Sequence, residues 1–207
     1  MEFTNNWFAQ NARDIWDGLF KTEKPRKILE IGSYEGASVC HLIKTLGNEY
    51  PLEIHCVDTW EGGIEHKKGG FVDSDMSEVE ARFLNNTRIA ISQAAHPVEL
   101  VLHKGYSDLQ LAKLLAEGKA EYFDFVYVDG SHQAPDVLVD AVLSFKLTRV
   151  RGVLGFDDYL WSEPLPYGHD PIRCPKIAVD SFVNIYCRKL HVMPGGRRQL
   201  YTRKTAS

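Results

Sequence analysis

The chain of 207 residues has four cysteines (Cys40, Cys56, Cys174, Cys187) but no CxxC pair, and it has no repeat and no low-complexity tract. Without that pairing there is no zinc-ribbon or redox-dithiol motif, and we read the four thiols as reduced packing residues. No apolar run is long enough for a helical membrane span. The opening residues, MEFTNNWFAQ, show neither the basic region nor the apolar stretch of a secretion signal, so the cytoplasm is the expected compartment and a membrane is not an expected partner. An excess of positive charge is missing too: 24 Lys and Arg stand against 28 Asp and Glu, a formal net charge of -4. Nucleic-acid affinity leans on a clustered positive field, which excludes nucleic acid as an expected partner. The basic residues near the C-terminus (Arg197, Arg198, Arg203, Lys204) alternate with apolar ones and read as a solvated strand face.

What is present is an ordinary globular mixture, 44% hydrophobic and 25% charged, enough for one substantial core. Residues 1–207 are read as a single domain, with an N-terminal helical extension over 1–24 and a loop-helix insertion over 59–95. From residue 27 onward, short β-rich runs alternate with helical ones, the pattern of a mainly parallel sheet covered on both faces. Strands are predicted at 27–32, 52–58, 98–105, 122–130 and 152–158. Helices are predicted between them, Gly47 and Gly118 acting as stops and Pro135 falling in a first turn. After the fifth strand come a helix over IAVDSFVNIYCRK and two strands joined at Pro194-Gly195-Gly196, which predict a closing antiparallel hairpin.

The stretch ILEIGSYEGAS, residues 28–38, ends a strand in a glycine turn. Nicotinamide-binding folds use GxGxxG there, so that a pyrophosphate can approach a helix N-terminus. Here the middle glycine is missing and two carboxylates, Glu30 and Glu35, are added. They would repel a phosphate and attract a cationic amino-acid group. Asp58, ending the second strand, is placed to accept from a ribose hydroxyl pair or to cap its own loop. Ser107 lies where it could reach an adenine edge or N-cap a helix.

The fourth and fifth strands end in VDGSH and FDDY, presenting Asp129, His132, Asp157 and Asp158 where ligands bind in open α/β sheets. Three converging carboxylates suit Mg²⁺ or a similar divalent ion, with capping of the turn as the alternative for Asp157 and Asp158. His132 is the candidate general base for a substrate hydroxyl. His66 and His169 lie in predicted loops within reach of a substrate, while His55 and His103 fall inside strands as core residues.

These residues together resemble the class I S-adenosylmethionine-dependent methyltransferases, over residues 27–204. The motif EIGSYEGAS is similar to the first motif of the metal-dependent O-methyltransferases related to catechol O-methyltransferase. DTWEGGIEH, VDGSH, FDDYLW and PKIAVDSFVNIY are similar to a bacterial family that includes macrocin-type sugar O-methyltransferases. The resemblance implies a Rossmann-like sheet of seven mostly parallel strands with a C-terminal antiparallel hairpin. It implies S-adenosyl-L-methionine as cofactor, with Glu30, Gly32, Tyr34, Gly36 and Ser38 around its methionine part, Asp58 on the ribose, and Ser107 with Asp108 near adenine. Asp129 would lie beneath the methyl group and, with Asp157 and Asp158, hold Mg²⁺. The chain departs from the catechol-type pattern in having Asp158 for Asn and His132 for Lys, which separates its base from theirs.

The function expected is metal-assisted O-methylation of a small molecule or sugar, with Asp129 and His132 catalytic. The segment from Thr59 to Asp75 would act as a lid, with Trp60 covering adenine or substrate. Tyr159, Trp161 and Tyr167 are aromatics expected near the mouth. Trp7 and Phe8 suggest a contact between copies in a homo-oligomer. The alternatives are a metal-dependent hydrolase on the same scaffold and a non-catalytic cofactor-binding protein; the glycine spacing opposes a nicotinamide oxidoreductase.

Overall fold

The structure is a computed structural model describing residues 1–66, 72, 74–196 and 198–207. Seven strands form one sheet: β1 (Lys27–Ile31), β2 (Leu52–Asp58), β3 (Val98–Lys104), β4 (Phe123–Val128), β5 (Thr148–Phe156), β6 (Leu190–Met193) and β7 (Leu200–Lys204). Their order is β3-β2-β1-β4-β5-β7-β6, with β7 antiparallel to both β5 and β6 and every other pairing parallel. The seven-stranded sheet and its closing hairpin are those implied by the resemblance. β1 and β4 lie in the middle and are buried along almost their whole length, as KILEI and FDFVYV require of strands covered on both faces.

Helices α3 (Ala37–Leu46) and α4 (Met76–Gln93) pack together on one face; α5 (Ser107–Ala116), α6 (Ala134–Leu147) and α7 (Lys176–Ile185) cover the other. The N-terminal segment differs from the single helix predicted. It is split at Ala12 into α1 (Trp7–Asn11) and α2 (Arg13–Glu23). The break turns the chain so that Phe8 and Trp16 meet, ring centres 5.0 Å apart, with Trp16 wholly buried. Trp16 donates to the Tyr201 hydroxyl at 2.9 Å, tying the start of the chain to its last strand.

Two other expectations are corrected. β5 begins at Thr148 rather than Gly152: Thr148 pairs with Phe123, and after a register shift pairing resumes at Val153 opposite Phe125, so the strand starts before the apolar run that marks the rest. Lys204 is not on a solvated face: it is buried, donating to the carbonyls of Phe145 and Thr148 and paired with Glu121. Arg203 pairs with Glu23, and Arg197 lies outside the described residues. Cys40, Cys56 and Cys174 are buried free thiols as expected, whereas Cys187 is exposed.

Candidate active site

The sheet order reverses between β1 and β4, and their carboxyl ends open a crevice there. Asp129 continues β4 by donating its N–H to the Ile31 carbonyl, while Gly32 donates to Val57. The two ends touch. Gly32 has φ +82°, and a Cβ on it would lie 2.0 Å from the Asp129 carbonyl oxygen, so only glycine fits. Gly36 (φ +77°) opens α3, and its missing side chain leaves room for Phe83, which would meet a Cβ at 2.9 Å.

Asp58 organises this turn. One of its oxygens accepts from the backbone N–H groups of Ser33 and Tyr34 at 2.8 and 3.0 Å, the other from Trp60 at 2.7 Å. The loop-capping role is therefore present, at the place where a ribose role is also expected. Glu35 faces away from the crevice centre: Arg82 donates to it at 2.6 Å, and Thr4 donates its backbone N–H and its hydroxyl, each at 2.8 Å. Glu30 lies beneath the turn, 1% exposed; one oxygen takes the Ser33 hydroxyl at 2.6 Å and the other meets no partner. Burial pushes the Glu30 pKa up to about 7, against the hydroxyls of Ser33 and Ser38.

The cleft so formed has a volume of about 920 Å³. It is lined by Gly32, Tyr34, Ser38, Asp58, Ser107, Asp108, Asp129, His132, Asp157 and Asp158, most of the residues singled out from the sequence. Its described lining holds nine carboxylates against one arginine, Arg198. Glu30 and Gly36 stand just behind the wall. Ser107 is the first residue of α5, and the N-cap position falls on Tyr106 instead.

Trp60 is a correction. Its indole is 5% exposed, donates to the Tyr34 carbonyl at 3.0 Å and packs on Phe83, so it supports the glycine turn from inside and does not cover the cleft. The tight turn at Trp60 (φ +50°), drawn in by Asp58, sends the ring inward. Of the segment expected to form a lid, residues 67–71 and 73 lie outside the described residues. His66 lines the cleft with its ring 5.4 Å from Tyr34. Trp7, its ring also 5.4 Å from Tyr34, lines it as well and is 42% exposed, and Phe8 packs on the core.

At the β4 and β5 ends, the His132 imidazole Nε2 lies 3.0 Å from Asp158 Oδ2, and its ring stacks on Trp161 with centres 4.2 Å apart. Asp157 Oδ1 accepts from the Asp158 N–H at 2.7 Å and from Gln199 Nε2 at 2.8 Å. Loss of water, then the charges of Asp157 and Asp158, holds the Asp129 carboxyl well above the usual carboxylate range. Burial, then Asp158, raises Asp157, with Tyr127 and Gln199 working against the rise. Tyr159 is turned to Asp180, while Tyr167 is exposed and His169 bonds to Ser162, none of them on the cleft lining.

The metal expectation meets a geometric obstacle. Among the described residues no group of three or more His, Cys, Asp or Glu side chains is gathered as a metal ion would require. Asp157 and Asp158 are spent on Gln199, a backbone N–H and His132. As arranged, the three carboxylates do not fit an ion.

Sequence reasoning missed Gln199, Arg82, Asp140 and the N-terminal strap through Thr4. Gln199 and Arg82 sit on surface-like patterns, and only tertiary contacts give them partners. Asp140 carried one usable signal, a charged residue at an inward position of a helix, between Val137 and Ala141.

Comparison with known proteins bears on the family and the fold. A family described as a methyltransferase domain matches residues 29–159. The Dictyostelium discoideum protein named "Probable caffeoyl-CoA O-methyltransferase 3" is 25% identical over 180 residues, 82% of this chain. The chain spans 61% of that relative's length. Among solved structures, an O-methyltransferase from Bacillus cereus in complex with SAH superposes with a TM-score of 0.64 at 17% identity, covering 93% of this chain and 80% of the other. The O-methyltransferase TomG from Streptomyces achromogenes, involved in tomaymycin synthesis and bound to SAM, gives 0.61 at 20% identity, covering 94% and 79%. At these identities the structural likeness establishes the class I methyltransferase fold.

Proposed function

Because the chain belongs to the methyltransferase-domain family, we propose that its cleft binds S-adenosylmethionine and methylates a hydroxyl of a small molecule or saccharide. The observation that carries this is the acidic lining of the cleft at the end of a glycine turn, in which carboxyl side chains far outnumber the one described arginine, Arg198, even with Glu35 paired to Arg82. That lining opposes a phosphate-bearing cofactor and favours one carrying an ammonium and a sulfonium. When bound, S-adenosylmethionine supplies an electrophilic methyl group on sulfur. The volume suits it, being near the upper range of small-ligand sites.

Glu30, Gly32, Tyr34, Gly36 and Ser38 form and back the methionine end, Asp58 takes the ribose hydroxyls with its remaining lone pairs, and Ser107 and Asp108 border the base. Asp129 lies at the reacting centre between the two halves of the site. His132 takes the proton of the acceptor hydroxyl, while Asp158 fixes the ring orientation and stabilises the imidazolium that forms. Trp161, on the cleft lining beside His132, offers an aromatic face to a sugar or phenol. Most of the acceleration then comes from alignment, because the cofactor carries the reactive bond.

Magnesium assistance is a second reading, favoured by the mutual repulsion of Asp129, Asp157 and Asp158. The side chains, as engaged, are not gathered as an ion would require among the described residues, and the steps above need none.

The test is transfer of labelled methyl to a panel of sugar and phenolic hydroxyls, with S-adenosylhomocysteine binding measured alongside. His132→Ala is expected to lower kcat by about 10²- to 10⁴-fold with cofactor affinity unchanged. Absence of S-adenosylhomocysteine binding would overturn the reading and bring the hydrolase alternative forward.

A further inference from the structure

Asp140 is 1% exposed on the second turn of α6, yet it lines the cleft. Neither carboxyl oxygen has a partner in hydrogen-bonding geometry, although the Ser107 hydroxyl is near enough to offset part of the cost of burial. Helix packing alone gives no reason for a carboxyl in this position, because a buried polar group without a partner is destabilising. The neighbouring surface is apolar and open. Leu109 on α5 is 65% exposed and Val139 on α6 is 42% exposed, and both line the same cleft. Gly130 presents only backbone toward Asp140; a Cβ there would stand 3.7 Å from Oδ2. Two uncovered aliphatic side chains with a buried polar group between the same pair of helices describe a slot for a flat heterocycle.

We infer that Asp140 reads the edge of the cofactor's adenine, pairing with the 6-amino group and the ring nitrogen beside it. This rests on the S-adenosylmethionine reading above. Along that edge adenine offers a donor next to an acceptor. A neutral carboxyl offers the complementary acceptor and donor; an ionised one offers acceptors alone and repels the lone pair of the ring nitrogen. The neutral form is present near neutrality, since burial, aided by the charges of Asp136 on α6 and Asp108 on α5, pushes Asp140 up to about 7. Among the described residues, the other elements packed on α6 (β4, β5, α7 and the short 3-10 turn Pro171–Arg173) direct no resolved charge at it. Adenine binding therefore draws a proton onto Asp140.

The experiment is calorimetric titration of the full chain with S-adenosylhomocysteine from pH 6 to pH 9, in buffer pairs that differ in heat of protonation. Binding is expected to take up a proton above neutral pH, with affinity falling about tenfold between pH 6 and pH 8. Asp140→Asn, whose amide presents an acceptor and a donor at any pH, keeps the pH 6 affinity and loses the fall. Asp140→Leu binds about tenfold more weakly while retaining a cooperative unfolding transition. Binding without proton uptake, or a fall that persists in Asp140→Asn, overturns the inference while leaving the cofactor reading intact. If the wild-type chain binds no S-adenosylhomocysteine at any pH, the cofactor reading itself fails and this inference with it. Should Asp140→Leu not fold, the asparagine variant decides alone.

Discussion

The two halves of the cleft are built on opposite principles. On the β1–β2 side, Glu35 is met by Arg82 and Thr4, and Asp58 by three backbone N–H groups. On the β4–β5 side, Asp129, Asp157 and Asp158 crowd together, and the neighbouring charges help push the first two upward in pKa. Satisfied carboxylates hold a shape, whereas crowded ones hold a field. On the proposed function, the first half would be scaffold for the cofactor, and the second would store the electrostatic demand that a reacting cation relieves.

Gly32 joins the halves, so its substitution should have the largest effect. Gly32→Ala is expected to cost about 3 kcal/mol or more and to abolish cofactor binding, because neither the backbone carbonyl of Asp129 nor a φ of +82° yields. Urea unfolding would measure it, and a stable, binding-competent variant would break the picture of two rigidly abutting strand ends. The halves should also respond with opposite sign. Arg82→Ala leaves the buried Glu35 without its cation and with the Thr4 donors alone, at a cost of about 3 kcal/mol. Asp157→Asn keeps an oxygen for Gln199 while removing a repelling charge, and should raise stability by about 1 kcal/mol while lowering turnover. Equal signs from the two variants would erase the distinction.

A further effect, graded with pH, is the one set by Glu30. Its folded pKa of about 7 lies above the ordinary 4.5, so the folded state holds the proton more tightly. The stability it contributes is full below pH 4.5 and is lost as pH rises through about 7, amounting to at most about 3 kcal/mol. The difference between wild type and Glu30→Gln in unfolding free energy, followed from pH 4 to pH 8, should carry that slope. A flat difference would place Glu30 among the satisfied carboxylates.

Much of this was legible in the sequence because it rests on local rules. The glycine turn, the β-rich runs and the carboxylates ending β2, β4 and β5 announce themselves through spacing and strand position, and the hairpin through its Pro-Gly-Gly. Trp60 was misjudged because its position in a loop says nothing of which way a ring turns; the indole goes inward through a carboxylate two residues earlier and a carbonyl on another strand's turn. Gln199 and Arg82 act across 42 and 47 residues of chain, separations that no pattern in a single sequence encodes. The metal expectation followed from counting carboxylates, where distance and prior engagement decide.

The four tryptophans divide evenly between interior and cleft, Trp16 and Trp60 being buried while Trp7 and Trp161 line the site. The molecule thereby carries two optical reporters of its own folding and two of its occupancy. A collisional quencher in water reaches the second pair and spares the first, so a ligand that fills the cleft shields emission that unfolding alone would otherwise report.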